Sequence, residues 1–82
     1  MSTEYDPATI HELDVSLWVG KRGLDPVAEE LTAQLEHHDL VKVKFLRSAR
    51  GEDSTEELAV SLAEMAGTSI VETRGHTAVF GD

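Results

Sequence analysis

Apolar residues alternate with other residues in two separate segments of the chain. Val15–Val19 places Val, Leu and Val on one face and Trp18 on the other. Leu40–Leu46 repeats the pattern, with three apolar side chains on one face and Lys42 and Lys44 on the other. Because successive side chains of a strand point to opposite faces, both segments are predicted to be strands with one buried face.

Two aspartate-proline pairs indicate where helices begin, because aspartate is a common N-cap and proline fits the first helical position. Asp6-Pro7 predicts a short helical turn before the first strand. Asp25-Pro26 predicts a longer helix, ending around His38-Asp39, whose apolar residues recur at helical spacing.

A second long helix is predicted after the lysine-bearing strand. The polar, glycine-containing segment Arg47–Asp53 is predicted to be a loop, and Ser54 and Glu57 after it have the spacing of a capping box. Gly67 suits the left-handed residue that commonly ends a helix. The apolar face of this helix is predicted to comprise Leu58, Ala59, Leu62, Ala63, Met65 and Ala66.

Two short β-rich runs close the chain. Ser69–Thr73 and Thr77–Phe80 are joined by Arg74-Gly75-His76, a connection of hairpin length. The predicted order is therefore a short helical turn followed by β-α-β-α-β-β. This order predicts an α/β two-layer sandwich, in which two helices cover one face of a mixed four-stranded sheet.

The composition is that of a small and strongly acidic domain. Its 82 residues allow one core, and 7 basic against 16 acidic side chains give a net charge of −9. A polyanion site must therefore be local, and a membrane-surface helix is not expected. The chain has no cysteine, and Met1–Ile10 lacks the basic start and apolar run of a targeting segment. We therefore expect a cytoplasmic protein that does not bind membranes.

The strongest candidate site is Gly20-Lys21-Arg22-Gly23, between the first strand and the first long helix. Its two glycines let the backbone approach a ligand, and its two side chains supply cations. Exposed amides, a helix start and two cations together favour phosphate oxygens. On spacing alone, an ordinary strand-to-helix turn with exposed basic residues is the simpler interpretation.

Six of the seven basic residues lie within the span 21–50. Beyond the glycine loop they are Lys42 and Lys44 on the strand and Arg47 and Arg50 after it, and Arg74 is the seventh. The predicted fold allows one stripe that links the glycine loop, the Lys42 and Lys44 face and Arg74. The alternative is a solvated strand face on which lysines prevent pairing with another strand.

Other chemistry has little support in the sequence. The four histidines lack metal-ligand spacing, and the adjacent glutamate pairs lie in first helical turns, where the helix dipole accounts for them. No serine has a nucleophile context. We therefore expect no metal, cofactor, small-molecule substrate or enzymatic activity. Trp18 could be a base-stacking platform, but packing against the N-terminal segment is favoured.

Two segments together closely resemble the CRM domain family, the YhbY-like RNA-binding proteins. They are Val19–Leu24 (VGKRGL) and Leu35–Lys44 (LEHHDLVKVK), and the resemblance covers about Val15–Phe80. It implies a fold like the C-terminal domain of translation initiation factor three. It also implies RNA binding through the glycine loop and the adjoining basic surface. By position, the implied RNA-binding residues are Gly20, Lys21, Arg22, Gly23, Lys42 and Lys44, with Gly75 as the hairpin glycine.

The resemblance also implies a partner. Bacterial single-domain members associate with precursors of the large ribosomal subunit, whereas plant members assist group II intron splicing, and a stand-alone domain is more similar to the ribosomal type. The chain departs from the family in two places. Residues 1–14 are short and acidic where the family has a basic helix, and Phe80 is followed by Gly81-Asp82 rather than an aromatic-arginine pair. We therefore expect a smaller RNA footprint.

The predicted protein has an acidic segment, 1–14, and an RNA-binding domain, 15–82. Its predicted function is that of a monomeric, non-enzymatic module for structured ribosomal RNA in large-subunit assembly. The acidity leaves two interpretations open. A composition of three lysines and sixteen acidic residues resembles that of proteins adapted to a cytoplasm of very high salt. At such salt the Debye length is about 3 Å, so distant carboxylates are screened. Alternatively, the acidic helices bind a basic ribosomal or regulatory protein.

Overall fold

The protein is a four-stranded sheet with helices, seen in a computed structural model that describes residues 7–81. The elements in chain order are helix α1 (Pro7–Glu12), strand β1 (Val15–Val19), helix α2 (Asp25–Leu35), strand β2 (Leu40–Phe45), helix α3 (Arg47–Arg50), helix α4 (Thr55–Ala66), strand β3 (Ser69–Arg74) and strand β4 (Thr77–Gly81). The strand order is β1-β2-β4-β3, with β1 and β2 parallel and the other neighbours antiparallel. The predicted α/β sandwich with a mixed four-stranded sheet is therefore confirmed.

Helices α2 and α4 contact each other and cover one face of the sheet. The alternation predicted for β1 and β2 is confirmed from Leu17 onward, because Leu17, Val19, Val41, Val43 and Phe45 are all buried in the same cluster. Val15, predicted on the same face, is half-buried and outside the cluster, because the strand register shifts between Val15 and Leu17. Phe80 from β4 and Leu31 and Leu62 from the helices complete its centre. Complete burial of such a side chain stabilises the fold by roughly 1.5–3 kcal/mol.

The long helices begin and end partly as predicted. The Ser54 hydroxyl accepts the Glu57 backbone N–H at 3.1 Å, which is one of the two bonds of the predicted capping box. Gly67 ends α4 in the left-handed conformation, with φ of 68°. The prediction that Asp25 caps α2 is wrong, because Asp25 is already helical and the residue before it makes no side-chain cap bond.

The predicted end of α2 is also wrong by about one turn. The helix ends at Leu35, not around His38-Asp39. After it, the Glu36 and His37 amides bond to carbonyls only three residues back, at 3.3 and 3.0 Å. Bonds of this spacing belong to a tighter 3₁₀-type turn, which ends the α-helical repeat.

Two further predictions fail in the second half of the chain. The segment predicted as a loop from Arg47 begins instead with helix α3, whose first turn is closed by the Ala49 amide bonded to the Leu46 carbonyl at 2.9 Å. Met65, predicted in the apolar face of α4, is 47% exposed. At about 100° per residue, Met65 lies about 120° around the helix from the buried Ala59, at the margin of the apolar stripe.

Helix α1 confirms the short N-terminal helical turn, whereas its predicted cap, Asp6, lies outside the described residues. Ile10 of α1 is 6% exposed and Val79 of β4 is 2% exposed, yet neither belongs to the core beneath α2 and α4. Val79 is paired with Lys42, whose neighbours in β2 face that core. Helix α1 therefore covers part of the sheet face opposite the two long helices, which we call the open face.

Gly81 closes the sheet at a position with no room for a side chain. A Cβ there would lie 2.7 Å from the Asp39 carbonyl oxygen and 2.9 Å from Leu40 Cδ2. We expect Gly81→Ala to lower the free energy of unfolding by about 1–3 kcal/mol. At roughly 4–8 °C per kcal/mol, thermal melts will resolve this change. The control is Gly20→Ala, whose Cβ meets nothing closer than 3.7 Å; an equal fall in both variants would contradict the steric argument.

Within the described residues, no helix is long and apolar enough to cross a membrane.

Candidate functional site

Parallel pairing of β1 and β2 brings two chain segments to the same edge of the sheet. Gly20 follows β1, and Leu46 follows β2. The Leu46 amide donates to the Val19 carbonyl at 2.8 Å. A Cβ at Gly20 would lie 3.7 Å from Leu46 Cδ1 and 3.8 Å from Ser48 Oγ. The glycine loop and the start of α3 are therefore neighbours in space.

The glycine loop, Gly20–Gly23, is a closed turn that leads into α2. The Gly23 amide donates to the Gly20 carbonyl at 3.0 Å, and Gly23 has φ of 83°, a conformation that favours glycine. Gly20 has no positive φ and has space for a Cβ. The fold therefore requires glycine at position 23 but not at 20, where the missing side chain leaves the backbone open to a ligand. Lys21 and Arg22 are exposed at the tip.

A groove of about 280 Å³ lies beside the glycine loop. All four loop residues line it, together with Trp18, Leu46 and, from α2, Pro26, Val27 and Glu30. Trp18 is 54% exposed and Leu46 38% exposed, so the groove has an accessible apolar wall. The sequence-based preference for Trp18 packing against the N-terminal segment stays a prediction, because residues 1–6 of that segment lie outside the described residues.

A row of side chains crosses the open face near this groove. The register pairs Trp18 with Lys44, Lys44 with Thr77, and Thr77 with Arg74. With strands about 4.8 Å apart, the row is about 14 Å long. It brings one strand lysine and the hairpin arginine to the same face as Trp18, as the predicted stripe requires.

Lys42 and Arg74 share a second hollow with His11 of α1, of about 300 Å³. The Arg74 Nη1 atom lies 2.7 Å from His11 Nε2, and this nitrogen is 3.7 Å from Glu72 Oε2. Arg74 is therefore held partly by α1. Sequence reasoning did not place His11 in the site, because its position depends on α1 folding back across the sheet.

The two arginines of α3 differ in their surroundings. The Arg50 Nε–H donates to the Phe45 carbonyl at 3.3 Å, so its guanidinium is partly committed to the backbone at the end of β2. Arg47 is exposed and follows Leu46 of the groove. Of this pair, Arg47 is the better placed to extend the basic surface next to the glycine loop.

The site cations are free of carboxylate partners in the described part of the chain. Across residues 7–81 the one basic nitrogen within 4 Å of a carboxylate oxygen is His11 Nε2, 3.7 Å from Glu72 Oε2. Within that range, no carboxylate neutralises these lysines and arginines, although the molecule carries a net charge of −9. Over the same range, no three histidine or acidic side chains form a group that could hold a metal ion.

These features define a class of small α/β sandwiches that present a glycine loop at one sheet edge and cations on the open face. The chain belongs to the CRS1 / YhbY (CRM) domain family, which it matches over residues 5–80. The resemblance inferred from the sequence is therefore confirmed. The match begins at residue 5 rather than at Val15, so it includes helix α1.

Two relatives support the same assignment. A probable RNA-binding protein of Methanocaldococcus jannaschii is 35% identical over 69 residues, which are 84% of this chain. The chain spans about half of that relative, 52% of its length. The solution structure of a Staphylococcus aureus protein, a candidate RNA-binding protein, superposes with a TM-score of 0.73 at 27% identity. The superposition covers 90% of this chain and 76% of the other.

Proposed function

We propose that this chain is an RNA-binding module that contacts phosphates through the glycine loop and the adjoining cations. Its RNA is structured ribosomal RNA, bound during assembly of the large ribosomal subunit. The module acts in the cytoplasm as a monomer, without catalysis, cofactor or small-molecule substrate. The names of the two relatives support RNA as the partner, and the resemblance to single-domain family members supports ribosomal RNA.

The observation that carries this proposal is the concentration of exposed cations beside an open glycine backbone in an acidic chain. Lys21 and Arg22 are exposed at the loop, and Lys44 is exposed on the open face. Cations that meet phosphates release condensed counterions, which provides most of the salt-dependent affinity for nucleic acid. Backbone amides at a glycine loop add contacts that do not depend on base identity.

We expect the double substitution Lys21→Ala and Arg22→Ala to lower the affinity for a transcript of large-subunit precursor RNA about tenfold. Each lost phosphate contact should also lower the slope of log K against log salt by about 0.7–0.9. Filter binding across a salt series measures both quantities, and circular dichroism confirms the fold.

The matched control places the same change in charge elsewhere. Ser61→Glu with Met65→Glu also makes the chain more negative by two charges, at exposed positions of α4. We expect this variant to retain the parent slope. An unchanged affinity and slope in the loop variant would remove the glycine loop from the RNA site.

A second candidate function is binding of a basic protein through the acidic helices. Glu29, Glu36, Glu56 and Glu64 are exposed on α2, just after it, and on α4. None has an ion-pair partner within the span 7–81. These carboxylates are accessible to a lysine- or arginine-rich protein surface. Charge reversal on opposite faces of the molecule distinguishes the two candidate functions.

A further inference from the structure

The groove beside the glycine loop is lined by side chains of both charges. Lys21 and Arg22 lie at the loop end, and Glu30 of α2 also lines the groove. Glu30 is five residues beyond the start of α2 at Asp25, or about 7.5 Å along the helix axis. A ligand that carries an anion at one end and hydrogen-bond donors at the other matches this polarity.

The wall between these ends is apolar and aromatic. Trp18 is outside the buried core cluster and is the single tryptophan of the chain. Leu46 and Val27 also line the groove. An exposed indole face next to cations suits a planar ring that stacks on it, as bases stack on aromatic side chains in single-stranded RNA sites. At about 280 Å³, the groove is just below the usual range of small-molecule pockets.

The carboxylate of Glu30 restricts which end of a nucleotide lies near it. Its negative charge repels phosphate, so a phosphate belongs at the Lys21 and Arg22 end. An ionised carboxylate only accepts hydrogen bonds. Guanine presents two adjacent donors on its Watson–Crick edge, N1–H and N2–H, which match the two carboxylate oxygens. Uracil presents a single donor between two carbonyl oxygens, which the carboxylate repels.

We propose that this groove is a subsite for one unpaired base, with guanine as its best match. The base stacks on Trp18, its edge donates to Glu30, and its phosphate lies on the glycine loop. The inference rests on the proposed RNA-binding function and adds a requirement to it: the RNA must present an unpaired nucleotide next to the backbone that the cations follow. A base within a duplex is stacked and paired, so its ring cannot enter the groove.

The test compares two RNAs: a hairpin whose loop contains one guanine, and a blunt duplex with the same stem sequence. Binding is followed by the fluorescence of the single tryptophan, Trp18. We expect the hairpin to bind about tenfold more tightly than the duplex and to quench Trp18. Trp18→Ala should abolish the hairpin advantage, measured by filter binding, and Trp18→Phe should retain most of it. The control Met65→Ala, which removes an exposed apolar side chain of α4, should keep the advantage.

A second comparison tests the role of Glu30. Hairpins whose loop guanine is replaced by uracil should bind the parent about fivefold more weakly, and Glu30→Gln should reduce that preference while the advantage over the duplex persists. Equal binding of hairpin and duplex by the parent would overturn the subsite and leave the proposed function standing. Failure to bind either RNA would overturn both. A guanine preference unchanged by Glu30→Gln would remove Glu30 from base selection and overturn the guanine assignment.

Discussion

Replacing Lys42 and Lys44 with glutamate should release the protein from precursors of the large ribosomal subunit. Both lysines alternate with the buried residues Val41, Val43 and Phe45. The substitutions therefore reverse the charge on the open face without altering the core. Loss of two charge-assisted contacts at about 1.5–3 kcal/mol each predicts binding at least about 100-fold weaker. Co-sedimentation with the precursor particles measures the release, and a thermal melt confirms folding.

The opposite reversal supplies the control. Glu56→Lys with Glu64→Lys changes the charge by the same amount in the other direction, at exposed positions of α4. Glu57 is left unchanged, because it is the predicted capping-box residue three positions after Ser54, and replacing its side chain would disturb the start of α4. If RNA is the partner, this variant stays bound or binds more tightly. The opposite result is release of the Glu56→Lys, Glu64→Lys variant together with retention of the Lys42→Glu, Lys44→Glu variant. It would show that the acidic helices bind a basic protein.

The parts of the fold that sequence could predict are those whose signal is local. Strands β1 and β2 differ from their predicted bounds by at most one residue, because alternation with a period of two is contained within each segment. Helix α3 was not predicted, because four residues are too few to show a helical period. Its geometry depends instead on the end of β2, where Arg50 bonds to the Phe45 carbonyl.

The candidate site shows the same division between local and distant contacts. Spacing alone locates Gly20 and Gly23, and the positive φ of Gly23 follows from the tight turn into α2. The groove requires Leu46, which lies more than twenty residues along the chain and arrives only through the parallel pairing of β1 with β2. Trp18, which is exposed on β1, lines the same groove. Single-sequence reasoning could propose either stacking or packing for Trp18, because its exposure depends on which elements cover the open face.

The acidity should make stability depend strongly on salt. The folded molecule measures 36 × 23 × 20 Å, so at 0.01 M salt, where the Debye length is about 30 Å, charges repel across most of it. A pair of carboxylates 10 Å apart repels by about 0.4 kcal/mol in water. Salt screens the repulsion of several such pairs, which amounts to about 2–3 kcal/mol in total. Tm should therefore rise by roughly 10–20 °C between 0.01 M and 1 M potassium chloride.

A variant with fewer carboxylates separates this repulsion from other effects of salt. Glu36→Gln with Glu64→Gln removes two exposed charges near helix C-termini, where the dipole also disfavours them. We expect a higher Tm than the parent in dilute buffer, a smaller rise with salt, and nearly equal Tm values at 1 M. Equal melting temperatures of the parent at both salt levels would contradict adaptation to high salt. High-salt adaptation would then not account for the exposed carboxylates, so that result would favour a basic protein as their partner.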